Sequence, residues 1–98
     1  MKRRLKKLLE KIEHEKEVII CKKAIETWGP AIQQVVAMEE MGELIQAISK
    51  SIRCKEHNVE EEIAGVEIMC TQLRLIFNNQ KVDEIKQAKL ERLKGVVW

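Results

Sequence analysis

Glu39, Glu40 and Glu43 fall within VVAMEEMGELIQAISKSI, residues 35–52, a stretch that is otherwise mostly apolar. At helical spacing, Glu40 and Glu43 share a flank, where carboxylate oxygens can converge on a hard cation or simply remain hydrated as an acidic face. No Lys or Arg occurs between Lys23 and Lys50, so Glu39 and Glu43 form an i,i+4 like-charge pair with no local cation to relieve it. A second acidic group, Glu60, Glu61 and Glu62, precedes another apolar run. Carboxylates in a first helical turn offset the macrodipole, and that alone would account for these three. Spacing therefore leaves two readings open, a divalent-metal site or a solvated acidic face.

The elements that must position these groups are helical throughout. The chain has one Pro, four Gly and no alternating β-branched run of strand length, which predicts an all-α chain. A first, basic helix is expected over about 3–27. Gly29 suits its C-cap and Pro30 the first turn of a second helix running over roughly 31–53. CKEHN, 54–58, reads as a loop; Asn58 with Glu61 three residues on resembles a capping box opening a third helix over 59–77. NNQK, 78–81, reads as a break before a shorter fourth helix over 82–94. The expected architecture is one domain over 1–98, a bundle of about four helices per chain. A core this small is commonly completed by oligomerisation, here into a homodimer or homotetramer.

On the second helix Met41, Leu44, Ile45, Ile48 and Ile52 form one stripe, with Glu40 just off its edge and Glu43 further round. On the third, Val59, Ile63, Val66, Cys70, Leu73 and Phe77 form the stripe, and Glu62 is displaced from it in the same sense. Packing stripe on stripe in an antiparallel hairpin would bring Glu40, Glu43 and Glu62 together at the border of the core. Ile68 and Leu75 lie off the third helix's stripe and are expected to need cover from a second copy.

Composition narrows the function classes. Formal charge is +2, yet the first sixteen residues carry seven Lys/Arg against three Glu, so the basic character is confined to one end. Arg3, Arg4, Lys6 and Lys7 could meet nucleic-acid phosphates, but a solvated helix end is the commoner meaning of such a run. No apolar run is long enough for a membrane span or a secretory signal, which points to a cytoplasmic protein. Cys21, Cys54 and Cys70 lack zinc-ligand or CxxC spacing and read as reduced thiols. The Cys54/His57 pair reads as an incidental loop feature, His14 as solvent-facing, Lys50, Arg53 and Lys55 as answering a helix dipole, and Trp28 and Trp98 as capping the core.

EEMGE at 39–43, followed after eighteen residues by EIAG from Glu62, resembles the EExxE and ExxD pair of the MazG-like all-α nucleoside triphosphate pyrophosphohydrolases. The similarity extends over about residues 24–94, through AIETWGPAIQQVVAMEEMGELIQAISK and EEEIAGVEIMCTQLRLIF, and resembles the short phage and low-GC bacterial members. It implies magnesium-dependent cleavage of a nucleoside triphosphate into monophosphate and pyrophosphate, with Glu40, Glu43 and Glu62 as metal ligands and Glu39 orienting or activating water. QAKLERL is similar to a family segment that holds the triphosphate, which implies that role for Lys89 and Arg92. The chain departs from the pattern at Gly65, where the motif has Asp. Glu61, one turn earlier on nearly the same azimuth, is the candidate to replace that carboxylate. The departure leaves an alternative, a catalytically weak nucleotide-binding or assembly module of the same fold.

Overall fold

The computed structural model describes residues 2–53 and 55–98. They form four helices, α1 (Lys2–Trp28), α2 (Pro30–Ile52), α3 (Val59–Ile76) and α4 (Asn79–Val97), with no strand among the described residues. The all-α four-helix bundle expected from periodicity is the observed architecture.

Gly29 separates α1 from α2 at φ 90° and ψ 150°, a conformation that side chains rarely adopt. Its N–H donates to the Ile25 carbonyl at 2.8 Å and its own carbonyl accepts from Gln33 at 3.1 Å. One residue thus closes one helix and opens the next, and Pro30 stands where its missing N–H costs nothing.

α2 and α3 form an antiparallel hairpin, the most extensive helix pairing in the molecule. Its register is marked by Gln33 against Gln72, whose buried side chains hydrogen-bond at 2.7 Å, and by Glu40 against Gly65. The seam on α2 follows Gln33, Ala37, Glu40, Leu44, Ala47 and Ser51, and on α3 Glu62, Gly65, Met69, Gln72 and Ile76, all of them buried or half-buried. Alternating steps of three and four residues are those of a coiled-coil seam, here occupied largely by small and polar side chains. Ala37 and Ala47 are 2% exposed, which lets the helices approach closely.

This seam overturns the expected stripe-on-stripe packing. At ~100° per residue, each helix is turned by about 80° from the position that its apolar stripe would choose, in the same sense on both. Ile45, Ile48 and Ile52 are 69%, 43% and 77% exposed, and Ile63, Cys70 and Phe77 also stand open. The turn brings the glutamate flanks inward and leaves Ile45, Ile48, Ile52, Ile63 and Phe77 outside, while Leu44, Met69 and Ile76 stay in the seam.

α1 crosses α3 on the other side of the hairpin. The Cys21 thiol, buried, faces the Ile68 carbonyl at 3.9 Å, and the Thr71 hydroxyl donates to Glu17 at 3.3 Å. Leu75 lines the cleft beside His14, Glu17 and Val18 of α1, while Ile68 is 47% exposed. The residues of α1 before Glu17 are exposed wherever described.

The break before α4 is shorter than NNQK implied. The Asn78 side chain accepts from the Lys81 N–H at 3.0 Å and caps α4 from Asn79, so the helix starts three residues earlier and continues to Val97. Arg74 pins its first turn, donating to Asp83 at 2.6 Å and Asn79 at 2.8 Å. No residue of α4 is buried. At the start of α3 the expected capping box is absent. Asn58 uses its amide to donate to Glu62 at 2.8 Å, and the Val59 N–H donates to His57 Nδ1 at 3.4 Å. Neither Trp caps the core: Trp28 is 59% and Trp98 96% exposed.

Candidate functional site

The hairpin's rotation assembles one oxygen cluster. One carboxylate oxygen each from Glu40, Glu43 and Glu62 lies within 4.8 Å of the others. Glu40 and Glu43 belong to the middle of α2, Glu62 to the first turn of α3, and the antiparallel register sets them across from one another. Oxygen ligands of magnesium stand ~2.1 Å from the ion, so opposite corners of its octahedron are ~4.2 Å apart. The observed spacing is within a small side-chain adjustment of that shell.

Gly65 has a visible steric consequence here. A Cβ placed on it would stand 2.5 Å from Glu40 Oε2, too close for both to keep their places. The missing side chain is what allows the Glu40 carboxylate to lie across α3. This notch, together with an all-oxygen donor set and, among the described residues, no basic side chain paired to it, fits a hard divalent cation.

Electrostatics describe the cluster without an ion. The Glu62 carboxyl is pushed above the ordinary carboxylate range, first by loss of solvation, then by Glu43, which both repels it and shares a hydrogen bond with it, and by Glu61. The Asn58 amide works in the opposite direction by stabilising the ionised form.

The other residues singled out from sequence are distributed less tightly. Glu39 is exposed, on the side of α2 toward Glu43. Glu61 is exposed next to Glu62 and outside the group of three. Lys89 and Arg92 stand exposed on α4, which packs only against α3 and only near its own start. A single chain therefore does not bring them to the carboxylates. Lys50, Arg53 and Lys55 are exposed around the end of α2, and Arg53 Nε donates to the Ser49 carbonyl at 3.3 Å. His57 faces the Val59 N–H, and Cys54 lies outside the described residues.

A further polar concavity lies between α1, α3 and the start of α4, lined by His14, Glu17, Thr71, Arg74 and Asp83. Its groups already pair internally, Arg74 with Asp83, Thr71 with Glu17, and His14 within 3.9 Å of Glu17. Such mutual satisfaction leaves little with which to hold a ligand. The Gln33–Gln72 pair was not foreseen, although Gln33, Ala37, Glu40, Leu44 and Ala47 carry a three-and-four spacing that a search for heptads, rather than for hydrophobicity, would have found.

No family model, curated protein or solved structure matches this chain.

Proposed function

We propose that the chain is a magnesium-dependent nucleoside triphosphate pyrophosphohydrolase of the MazG-like kind, working in the cytoplasm as a homodimer or homotetramer. The observation that carries this reading is the convergence of Glu40, Glu43 and Glu62 beside the Gly65 notch. Magnesium bound by these carboxylates would offset charge on the phosphate oxygens, the contribution that dominates such reactions. Glu39, exposed beside the cluster, is the group to orient the attacking water. Lys89 and Arg92 would engage the triphosphate only if another copy carried them to the carboxylates.

Two observations favour the second reading, a nucleotide-binding or assembly module with little turnover. Gly65 supplies no fourth carboxylate, and the basic pair on α4 lies apart from the cluster within one chain. The readings part in one experiment. The purified protein is incubated with magnesium and a panel of canonical and modified nucleoside triphosphates, and the products are separated. Monophosphate and pyrophosphate in equal amounts, abolished by Glu43→Gln with helicity retained, are the expected result. Nucleotide binding without pyrophosphate release would leave the module, and release unaffected by Glu43→Gln would remove the carboxylates from the chemistry.

A further inference from the structure

Among the described residues, α1 meets the rest of the chain along one face. Glu17, Val18, Cys21, Ala24 and Ile25 are its buried or half-buried members, and at ~100° per residue they gather on one side of the helix. Leu5, Leu8, Leu9, Ile12, Ile19 and Ile20 form a second stripe, centred about 160° round the helix from the first. Every one of these six is exposed. The stripe therefore points away from the hairpin along about 23 Å of helix. An amphipathic helix ordinarily turns its apolar stripe toward its own core, and α1 does the opposite.

The same segment concentrates the positive charge of the chain. Residues 2–12 carry Lys2, Arg3, Arg4, Lys6, Lys7 and Lys11 against Glu10 alone, and all of them are exposed. Glu10 lies about 140° round the helix from the stripe. Glu13 and Glu15 border the stripe further along, where Lys16 answers Glu13 at 3.7 Å. Lys16 and Lys23 fall within the stripe itself, on stems long enough to carry their ammonium groups out of an apolar layer. We propose that α1 lies flat on the surface of an anionic phospholipid bilayer, with its aliphatic stripe in the boundary between headgroups and acyl chains and its Lys and Arg side chains at the phosphates.

Charge and apolarity together select this occupant. A nucleic acid would take up the cations and leave the six aliphatic side chains in water. A second copy would cover the aliphatics but set two cationic segments against each other, which like-charge repulsion opposes. An anionic bilayer answers both features at once. No helix among the described residues is long and apolar enough to cross a membrane, so the contact is with the surface, and reversible. The hairpin stands on the far side of α1 from the lipid, and Glu40, Glu43 and Glu62 belong to α2 and α3. Lipid binding and the metal-site reading can therefore fail separately.

Vesicle flotation tests the proposal. The full chain is mixed with vesicles of phosphatidylglycerol and phosphatidylcholine in equal parts, or of phosphatidylcholine alone, across a salt series. Binding to the anionic vesicles should be about tenfold tighter than to the neutral ones and should weaken as salt rises. Leu5→Gln with Leu9→Gln keeps every charge and should lower anionic binding by about tenfold, with helical circular dichroism and sedimentation unchanged. Lys6→Gln with Lys7→Gln should lower it by a similar factor and flatten the salt dependence. Equal binding to both vesicle types, or binding to neither, overturns the proposal. So does a leucine variant that binds as the wild-type chain does, which would leave a contact of charge alone, as a nucleic acid would make. A leucine variant that sediments as a smaller species overturns it as well, because another copy would then cover the stripe. Should that variant lose its helix, the two vesicle compositions and the lysine variant decide.

Discussion

The seam and the open face of the α2–α3 hairpin use opposite materials. The seam sets Ala37, Ala47, Gly65 and an amide pair among Leu44, Met69 and Ile76, while the open face holds Ile45, Ile48, Ile52, Ile63 and Phe77. A helix pair seeking only to bury apolar area would have chosen the reverse. Small residues allow close backbone approach and polar ones fix register, so the intrachain contact is built for alignment and leaves the larger hydrophobic area unburied in the single chain. Alignment is also what the carboxylates require, since their convergence depends on the rotation that exposes the isoleucines.

The contrast is sharpest at neighbouring positions. Ala47→Leu forces three extra carbons into a site 2% exposed and should cost about 1–3 kcal/mol, or separate the helices outright, because a packed seam cannot expand without moving backbone. Ile48→Leu, one residue along on the open side, should cost under about 1.5 kcal/mol, as volume-conserving exchanges do. Urea unfolding of the two variants checks the pair; equal losses would mean that the seam does not run through Ala47.

Next in size is the amide pair. Gln33→Leu alone strands the Gln72 side chain without its partner and should cost about 1–3 kcal/mol, while Gln33→Leu with Gln72→Leu recovers most of that loss. A double-mutant cycle by urea denaturation measures the coupling. Additive losses would show that the amides do not meet in solution.

Gly65 gives a smaller effect of mixed sign. Gly65→Ala should improve helix propensity by up to about 1 kcal/mol, less whatever is needed to displace the Glu40 carboxylate from its notch. Its thermal midpoint without metal should change little, while magnesium binding weakens. Gly65→Asp also displaces Glu40 but contributes a carboxylate of its own, so its magnesium affinity should exceed that of Gly65→Ala. Titration calorimetry orders the three proteins, and equal affinities would separate Glu40 from the ion.

The pH response should be smaller still. The Glu62 carboxyl is raised above its ordinary range when folded, so between the ordinary and the raised value the folded chain holds the proton more firmly than the unfolded one. Stability contributed by this group is then present at the acid side and lost as pH rises through the raised value. Thermal midpoints should decline across that window in the wild-type chain and stay flat in Glu62→Gln. A decline that survives the substitution would belong to another group.

How much of this was readable from sequence follows from what periodicity measures. The helices, the Gly29–Pro30 elbow and the shared displacement of Glu40 and Glu62 all depend on local spacing, and they were legible. Which side of each helix faces its partner was not. Counting hydrophobic positions assumes that the largest side chains turn toward the nearest helix, whereas Ala37, Ala47 and Gly65 meet there instead. The same assumption assigns Trp28 and Trp98 to the core, yet both stand open. Asn58 with Glu61 three residues on has the spacing of a capping box, but the Asn58 amide donates to Glu62 instead. Lys89 and Arg92 depend on where α4 points, which short-range pattern does not encode.

Cys21 gives the molecule a built-in gauge of uneven stability. Its thiol is 1% exposed beneath the crossing of α1 and α3, and burial together with the nearby Glu17 raises its pKa. It can react only when that crossing opens. The Gln33–Gln72 bond joins α2 to α3 and involves no α1 residue, so the crossing is expected to open ahead of the seam. Reaction of Cys21 should then outpace amide exchange in the middle of α2 and α3, and the ratio of the two rates reads the free energy of lifting one helix away from a hairpin that stays folded.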